Sequence, residues 1–176
     1  IVNYKSWIPL ENCIQSINNQ IDINPEIIVV DNNSNDGFLY SYIEKFPKVL
    51  WIENGANIGF SKGCNLGAEK ASSEYLLFLN PDTYLPPDCL KNLLSADLNF
   101  ESSIIGIKQL NNENKNTHAY GIFLNLYSFN GIARAFYRFF MLKNKRELDK
   151  LDQFSPDWIS GSFILISKKL FNVIGK

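Results

Sequence analysis

Residues 26–30, EIIVV, form an unbroken and mostly β-branched run that empties directly into DNNSNDG. Side chains that are apolar on consecutive positions cannot turn one face to water. The run therefore suits a strand covered on both sides, as in a parallel sheet flanked by helices. The polar cluster behind it is dense in turn formers. This one junction calls for a layered α/β fold.

The same junction recurs along the first half of the chain. IVNY at 1–4 reads as the end of a strand, and Leu10, Cys13, Ile14 and Ile17 then repeat at helical spacing. After DNNSNDG, the residues Phe38, Leu39, Tyr42, Ile43 and Phe46 share a helical face, followed by a short strand, VLWI, at 49–52. The loop ENGANIG leads into a helix carrying Phe60, Cys64, Ala68 and Ala71, and YLLFL at 75–79 supplies another strand. Three such alternations with short connections predict a doubly wound layer built from right-handed crossovers, which binds ligands at the carboxyl ends of its strands. DNNSNDG, ENGANIG and the NPD of residues 80–82 all fall on that edge.

Beyond residue 88, DCLKNLLSADL predicts a helix, SIIGIKQL a strand and NNENKNTHAYG a polar loop. DWISGSFILIS reads as a turn into a strand, and KKLFNVI as the opening of a helix. Residues 131–150 hold six basic and two acidic residues interleaved with Phe136, Tyr137, Phe139 and Phe140. Two readings of 132–143 stand: an amphipathic helix covering the sheet, or a segment lying on a membrane surface or holding a lipid-linked acceptor. There is no internal repeat and no linker, and 176 residues suffice for one domain with a substantial core.

Charge and cysteine content remove several classes of function. With 17 basic and 18 acidic residues the chain has no field to gather nucleic acid, so any anion is held locally. Cys13, Cys64 and Cys89 are odd in number and too far apart for a CxxC pair or a metal knuckle, and read as reduced core thiols of a cytoplasmic protein. No apolar run approaches the ~20 residues of a membrane helix. IVNY begins in mid-strand and KLFNVIGK stops in mid-pattern, so both ends read as cut.

Each polar cluster has a chemical and a plain reading. Asp31, with Asn33 behind it, ends a buried strand; its carboxylate either accepts hydrogen bonds from a base or ribose, or caps the next turn. The glycines of NGANIGFSKGCNLG bring backbone amides near a phosphate or permit a tight turn and close helix packing, and they match neither a dinucleotide fingerprint nor a Walker loop. Asn80 and Asp82, at i and i+2 on an extended segment fixed by Pro81, would address one spot with an amide and a carboxylate. Such hard oxygens suit Mg²⁺ or Mn²⁺ carrying a diphosphate, whereas the plain reading is an NPD turn. His118, the only histidine, reads as a surface residue of a polar loop.

In order, IVNY, IIVVDNNSNDG, NIGFSKGCNLG, YLLFLNPDTYLPP and WISGSFILISKKLF resemble glycosyltransferase family 2, and its rhamnosyltransferase-like branch in particular, over essentially the whole chain. The resemblance implies an α/β fold of GT-A type with a mostly parallel central sheet. It implies one domain, with a nucleotide-sugar-binding half at 1–88 and part of an acceptor half at 89–176. Asn3, Tyr4 and Asp31 would hold the nucleotide base, and Asn57 and Lys62 would contact the nucleotide. NPD stands at the place of the family's DxD motif, with Asn80 towards the ribose and Asp82 as the metal ligand. Trp158, Ser160 and Gly161 would line the sugar and acceptor cleft.

The activity so implied is inverting transfer of a sugar from a dTDP-rhamnose or UDP-hexose type donor to a cell-surface polysaccharide or lipid-linked oligosaccharide, at the inner face of the cell membrane. Two departures bear on it. Lys5 stands where similar sequences carry Asn or Asp, and the family's catalytic base belongs to an acidic pair that would follow Lys176. The 176 residues are therefore expected to bind a nucleotide weakly through the metal site and to turn over slowly or not at all. Rival readings are a nucleotidyltransferase, which usually shows a Gly-rich basic signature near its first strand that IVNYKSW lacks, and a non-catalytic carbohydrate or protein interaction domain.

Overall fold

The computed structural model describes residues 1–117, 119–121, 151 and 153–175. The chain packs as two compact units, Ile1–Ile105 with Gly161–Lys176, and Gly106–Ser160.

The first unit is built on three parallel strands in the order β1 (Val2–Asn3), β2 (Ile28–Asp31) and β3 (Leu50–Glu53). In β2 the neighbours Val29 and Val30 are 0% and 1% exposed. They point to opposite faces, so both sides of the strand are covered, as the β-branched run demanded. Helix α1 (Trp7–Asn18) buries Leu10, Cys13, Ile14 and Ile17, and accepts Pro9 because its first turn has no carbonyl partner for that residue's N–H. Helix α2 (Leu39–Lys45) buries Leu39. Helix α3 (Phe60–Lys70) starts after Gly59, whose φ of 82° lies in the left-handed region, and buries Gly63 and Ala68.

Strand β4 (Tyr75–Leu79) pairs antiparallel with β7 (Phe163–Ser167), with Leu77 opposite Leu165. Among the described residues β4 thus joins no parallel ladder and is an antiparallel part of a fold expected to be mostly parallel. Ala68, Leu76 and Ile166 form a buried cluster against which Phe78, Leu170 and Phe171 pack, so α3 and the antiparallel pair share a core. Helix α4 (Cys89–Leu94) follows β4, and α5 (Lys168–Ile174) follows β7 with the Ser167 hydroxyl accepting from Leu170 N at 3.1 Å.

The second unit contains the short antiparallel pair β5 (Tyr120–Gly121) and β6 (Trp158–Ile159). The Trp158 indole lies so close over Gly121 that a β-carbon there would sit 2.6 Å from the ring. Tyr120 meets Phe154 edge-on at 4.8 Å.

Two expected elements come out shorter. SIIGIKQL contributes two isolated bridges, Ile105 to Leu165 and Leu110 to Asn116; Gly106 begins the second unit and packs on Ile159, so the run is divided between two cores. The helix expected over DCLKNLLSADL ends at Leu94, where the Ser95 hydroxyl donates to the Lys91 carbonyl. The aromatic and basic stretch at 132–143 and His118 lie outside the described residues. Among the described residues, no helix is long and apolar enough to cross a membrane.

Candidate functional site

Parallel register brings the ends of the first three strands level, with Asn3 beside Asp31 and Asp31 beside Glu53. Asn3, Asp31 and Ser34 are 0%, 2% and 1% exposed, and they satisfy one another. The Asp31 carboxylate accepts from Asn3 Nδ2 at 3.0 Å, from Ser34 N at 3.1 Å and from the Ser34 hydroxyl. Ser34 Oγ accepts from Lys5 N at 2.9 Å, and Asn3 Oδ1 accepts from Ser6 N at 3.2 Å. Three donors meet the hydrogen-bonding demand of this buried carboxylate from within the chain. The capping reading of Asp31 therefore accounts for its bonds, and the residue forms the floor of the edge.

Around this floor the backbone is unusual. Lys5, Asn33 and Asn35 have φ of 54°, 64° and 46°. Asn tolerates the left-handed region, whereas Lys pays on the order of 1 kcal/mol for it. Tyr4 is left 47% exposed with the Lys5 ammonium 5.5 Å from its ring centre. The Trp7 indole donates to Asp36 Oδ2 at 2.7 Å and ties the start of α1 to the 32–37 loop.

Asn32, only 3% exposed, organises the neighbouring loop. Its Nδ2 donates to Asn57 Oδ1 at 2.8 Å and to the Gly59 carbonyl at 3.4 Å. Its Oδ1 accepts from Ile58 N at 3.0 Å and from Asn54 Nδ2 at 3.3 Å. Asn57 Oδ1 also accepts from Gly59 N at 3.1 Å, while Lys62 stands exposed in the first turn of α3. Sequence reasoning singled out Asn57 and Lys62 but missed Asn32, Ser34 and Asp36. The available signal was the density of Asx and Ser residues in DNNSND, which far exceeds what one turn uses.

The NPD segment differs from its expected geometry. Thr83 N donates to the Asn80 carbonyl at 3.2 Å, closing a β-turn with Pro81 and Asp82 at its corners. Proline is favoured at the first corner of such a turn. The extended geometry that would aim Asn80 and Asp82 at one spot by pleat alternation is thus replaced by a turn.

Buried polar groups of α1 and of the residues just after it hold the 85–90 segment. Ser16 Oγ accepts from Leu85 N at 3.1 Å, Gln20 Nε2 donates to the Pro86 carbonyl at 2.8 Å, and Gln20 Oε1 accepts from Leu90 N at 2.9 Å. The Cys13 thiol lies 3.7 Å from the Asn80 carbonyl. Asp82 is exposed, and its carboxylate accepts no hydrogen bond from the described residues.

Of the residues expected in the sugar cleft, Gly161 is brought beside Phe60 at the start of α3, with 3.5 Å from its β-position to the ring. Trp158 and Ser160 belong to the second unit, where Ser160 N donates to the Ala119 carbonyl at 2.7 Å.

Comparison with known proteins decides the family. The sequence profile of glycosyl transferase family 2 matches residues 1–175. The chain belongs to this family. A similar relative is the low-salt glycan biosynthesis hexosyltransferase Agl10 of Haloferax volcanii, 32% identical over 117 residues, which cover 64% of this chain and 36% of the relative. An uncharacterised glycosyltransferase of Haemophilus influenzae is 32% identical over 98 residues, covering 55% of this chain and 32% of that protein. The chain thus spans about a third of the length of these curated relatives. Among solved structures, the mannosyltransferase PcManGT of Pyrobaculum calidifontis, in complex with GDP-Man and Mn²⁺, matches with a TM-score of 0.56 and 16% identity, covering 99% of this chain and 45% of that one. That likeness supports the glycosyltransferase fold.

For a family 2 protein the donor set can be tested against a divalent cation. Among the described residues no three His, Cys, Asp or Glu side chains group together. One uncommitted carboxylate, Asp82, fits the mode in which a hard cation is held by a single protein carboxylate together with substrate phosphates and water. It does not fit a cation bound by the protein alone.

Proposed function

We propose that this glycosyltransferase takes a sugar from a nucleotide-diphosphate donor, of dTDP-rhamnose or UDP-hexose type, and passes it with inversion to a cell-surface polysaccharide or lipid-linked oligosaccharide. The observation that carries the reading is Asp82, an exposed, uncommitted carboxylate fixed by a proline turn directly after a core strand. It shares its half of the chain with a fully satisfied polar floor at Asn3 and Asp31 and with the loop before Lys62.

In this reading the base lies over the edge formed by Asn3, Tyr4, Asp31 and Asn33. Asn57 and Lys62 approach the nucleotide from the start of α3, and Asn80 faces the ribose. Asp82 holds Mg²⁺ or Mn²⁺, which offsets charge on the departing diphosphate when bound. Trp158, Ser160 and Gly161 receive the sugar and acceptor.

The acceptor hydroxyl forms a new bond to the anomeric carbon from the face opposite the diphosphate. The bond from that carbon to the phosphate oxygen breaks, and the hydroxyl proton passes to a base on the acceptor side. Peripheral contact at the inner face of a membrane would place the protein near a lipid-linked acceptor.

Thermal unfolding with a panel of nucleotides and nucleotide sugars, with and without Mn²⁺, tests the donor site. A nucleotide at ten times its Kd adds about 1.4 kcal/mol, or roughly 3–6 °C for a chain of this size. The shift should need Mn²⁺ and should vanish in Asp82→Ala. No metal-dependent shift with any nucleotide sinks the reading.

A further inference from the structure

We infer that Asn32 is a positioning residue for the donor: its buried side chain locks the 54–59 loop in the form that lets the start of α3 receive a nucleotide. The inference rests on the donor site proposed above and adds to it a residue that would touch no substrate. One primary amide has two N–H donors and a carbonyl oxygen with two lone pairs. Asn32 spends them all on one short loop, giving its N–H groups to Asn57 Oδ1 and the Gly59 carbonyl and its oxygen to Ile58 N and Asn54 Nδ2. Apart from Asn32, the loop is held at its start by Asn54 N donating to the Asp31 carbonyl at 2.9 Å and internally by Asn54 Nδ2 donating to the Ala56 carbonyl and Gly59 N to Asn57 Oδ1, while Gly55, Ala56 and Asn57 are exposed. Its 57–59 part is tied to the end of β2 by the Asn32 side chain, which is 3% exposed.

The loop matters because of the helix it leads into. Gly59 adopts φ 82° and is followed at once by α3, whose first turn carries Lys62. A shift of the loop therefore re-aims the first free N–H groups of α3 and the Lys62 side chain together. The chemistry also demands asparagine. Aspartate has the same shape but no donor, so Asn32→Asp would set a carboxylate oxygen against two acceptors, Asn57 Oδ1 and the Gly59 carbonyl. Alanine would remove all four bonds and leave Ile58 N and the Gly59 carbonyl without the Asn32 side chain.

The test measures the 176-residue chain and its Asn32→Asp, Asn32→Ala, Asn57→Ala and Asn32→Ala/Asn57→Ala variants. The readouts are Kd for UDP, dTDP and GDP with Mn²⁺, amide exchange at Ile58 and Gly59, and thermal midpoint. Expected are Ile58 and Gly59 amides exchanging at least tenfold faster in both Asn32 variants, and Kd rising tenfold or more. The double variant should lose less binding than the two single losses combined, because part of the effect of Asn57 runs through its contact with Asn32. A purely structural Asn32 would lower the thermal midpoint and leave Kd for the folded protein unchanged, and that outcome overturns the inference. Exchange that stays at wild-type rates overturns it as well. If the wild-type chain binds none of the nucleotides, the donor-site reading has failed first, which is told apart from failure of Asn32 alone by wild-type binding equal to that of the variants.

Discussion

Gly63 of α3 lies against Val2 of β1 so closely that a β-carbon on it would fall 2.9 Å from Val2 Cγ1. Four residues on, the same construction at Gly67 leaves 3.4 Å to Val30 Cγ2, an ordinary contact. Two glycines on one helix face thus answer differently to the same methyl group. Gly63→Ala should lose about 1–3 kcal/mol to overpacking against a stiff β-branched side chain, partly offset by about 1 kcal/mol of helix propensity. Gly67→Ala should gain up to about 1 kcal/mol. Urea unfolding of both variants checks the pair, and equal effects would contradict the packing described.

Ser34→Ala removes one of the three donors to the Asp31 carboxylate and the acceptor of Lys5 N. Both groups are drawn into a dry network, so the loss should be about 1–3 kcal/mol in chemical denaturation. Asp31→Asn should cost at least as much, because its NH2 would face either the Asn3 amide or the Ser34 N–H, donor against donor in both rotamers.

Gln20 holds the chain after the NPD turn through Pro86 and Leu90. Gln20→Leu keeps the volume but leaves those groups unpaired, and should cost about 2 kcal/mol. If the turn is held from this side, the variant should also weaken any Mn²⁺-dependent nucleotide shift, whereas Lys91→Ala on the exposed Lys91–Asp22 pair should leave both stability and shift nearly unchanged.

Burial, reinforced more weakly by Asp82 and opposed by the chain's terminal ammonium, pushes the Cys13 thiol up to about 11. The unfolded chain ionises this thiol near its ordinary value while the folded chain keeps it neutral. Its contribution is therefore complete below about pH 9 and drains away as pH climbs towards 11, on the order of 2 kcal/mol. Cys13→Ala should flatten that alkaline limb of the stability curve although it lowers stability at neutral pH. A limb of unchanged slope would show that other groups carry it.

What could be read from the residues was whatever depends on neighbours in sequence. EIIVV specified a strand covered on both faces, and Val29 and Val30 are both buried. Helical spacing specified α1 because Leu10, Cys13, Ile14 and Ile17 fall on one side of it. The order of motifs specified the family, and the profile match over 1–175 agrees. SIIGIKQL misled because its apolar pattern says nothing about being shared between two packing units. The NPD segment misled because strand alternation was carried past the end of β4 at Leu79 into the turn that Thr83 N closes on Asn80.

Side-chain period and turn chemistry, which act over a few residues, specified the strands and helices of residues 1–79 and the three polar clusters that follow strand ends. It took the packing of the folded chain to bring Asp31 onto Asn3 and Ser34, Asn32 across to Asn57, and β4 antiparallel to β7. Those facts depend on groups 28, 25 and about 90 positions apart meeting in space. Hydrogen bonds of such separation are chosen by how the layers pack, and local pattern carries no record of that choice.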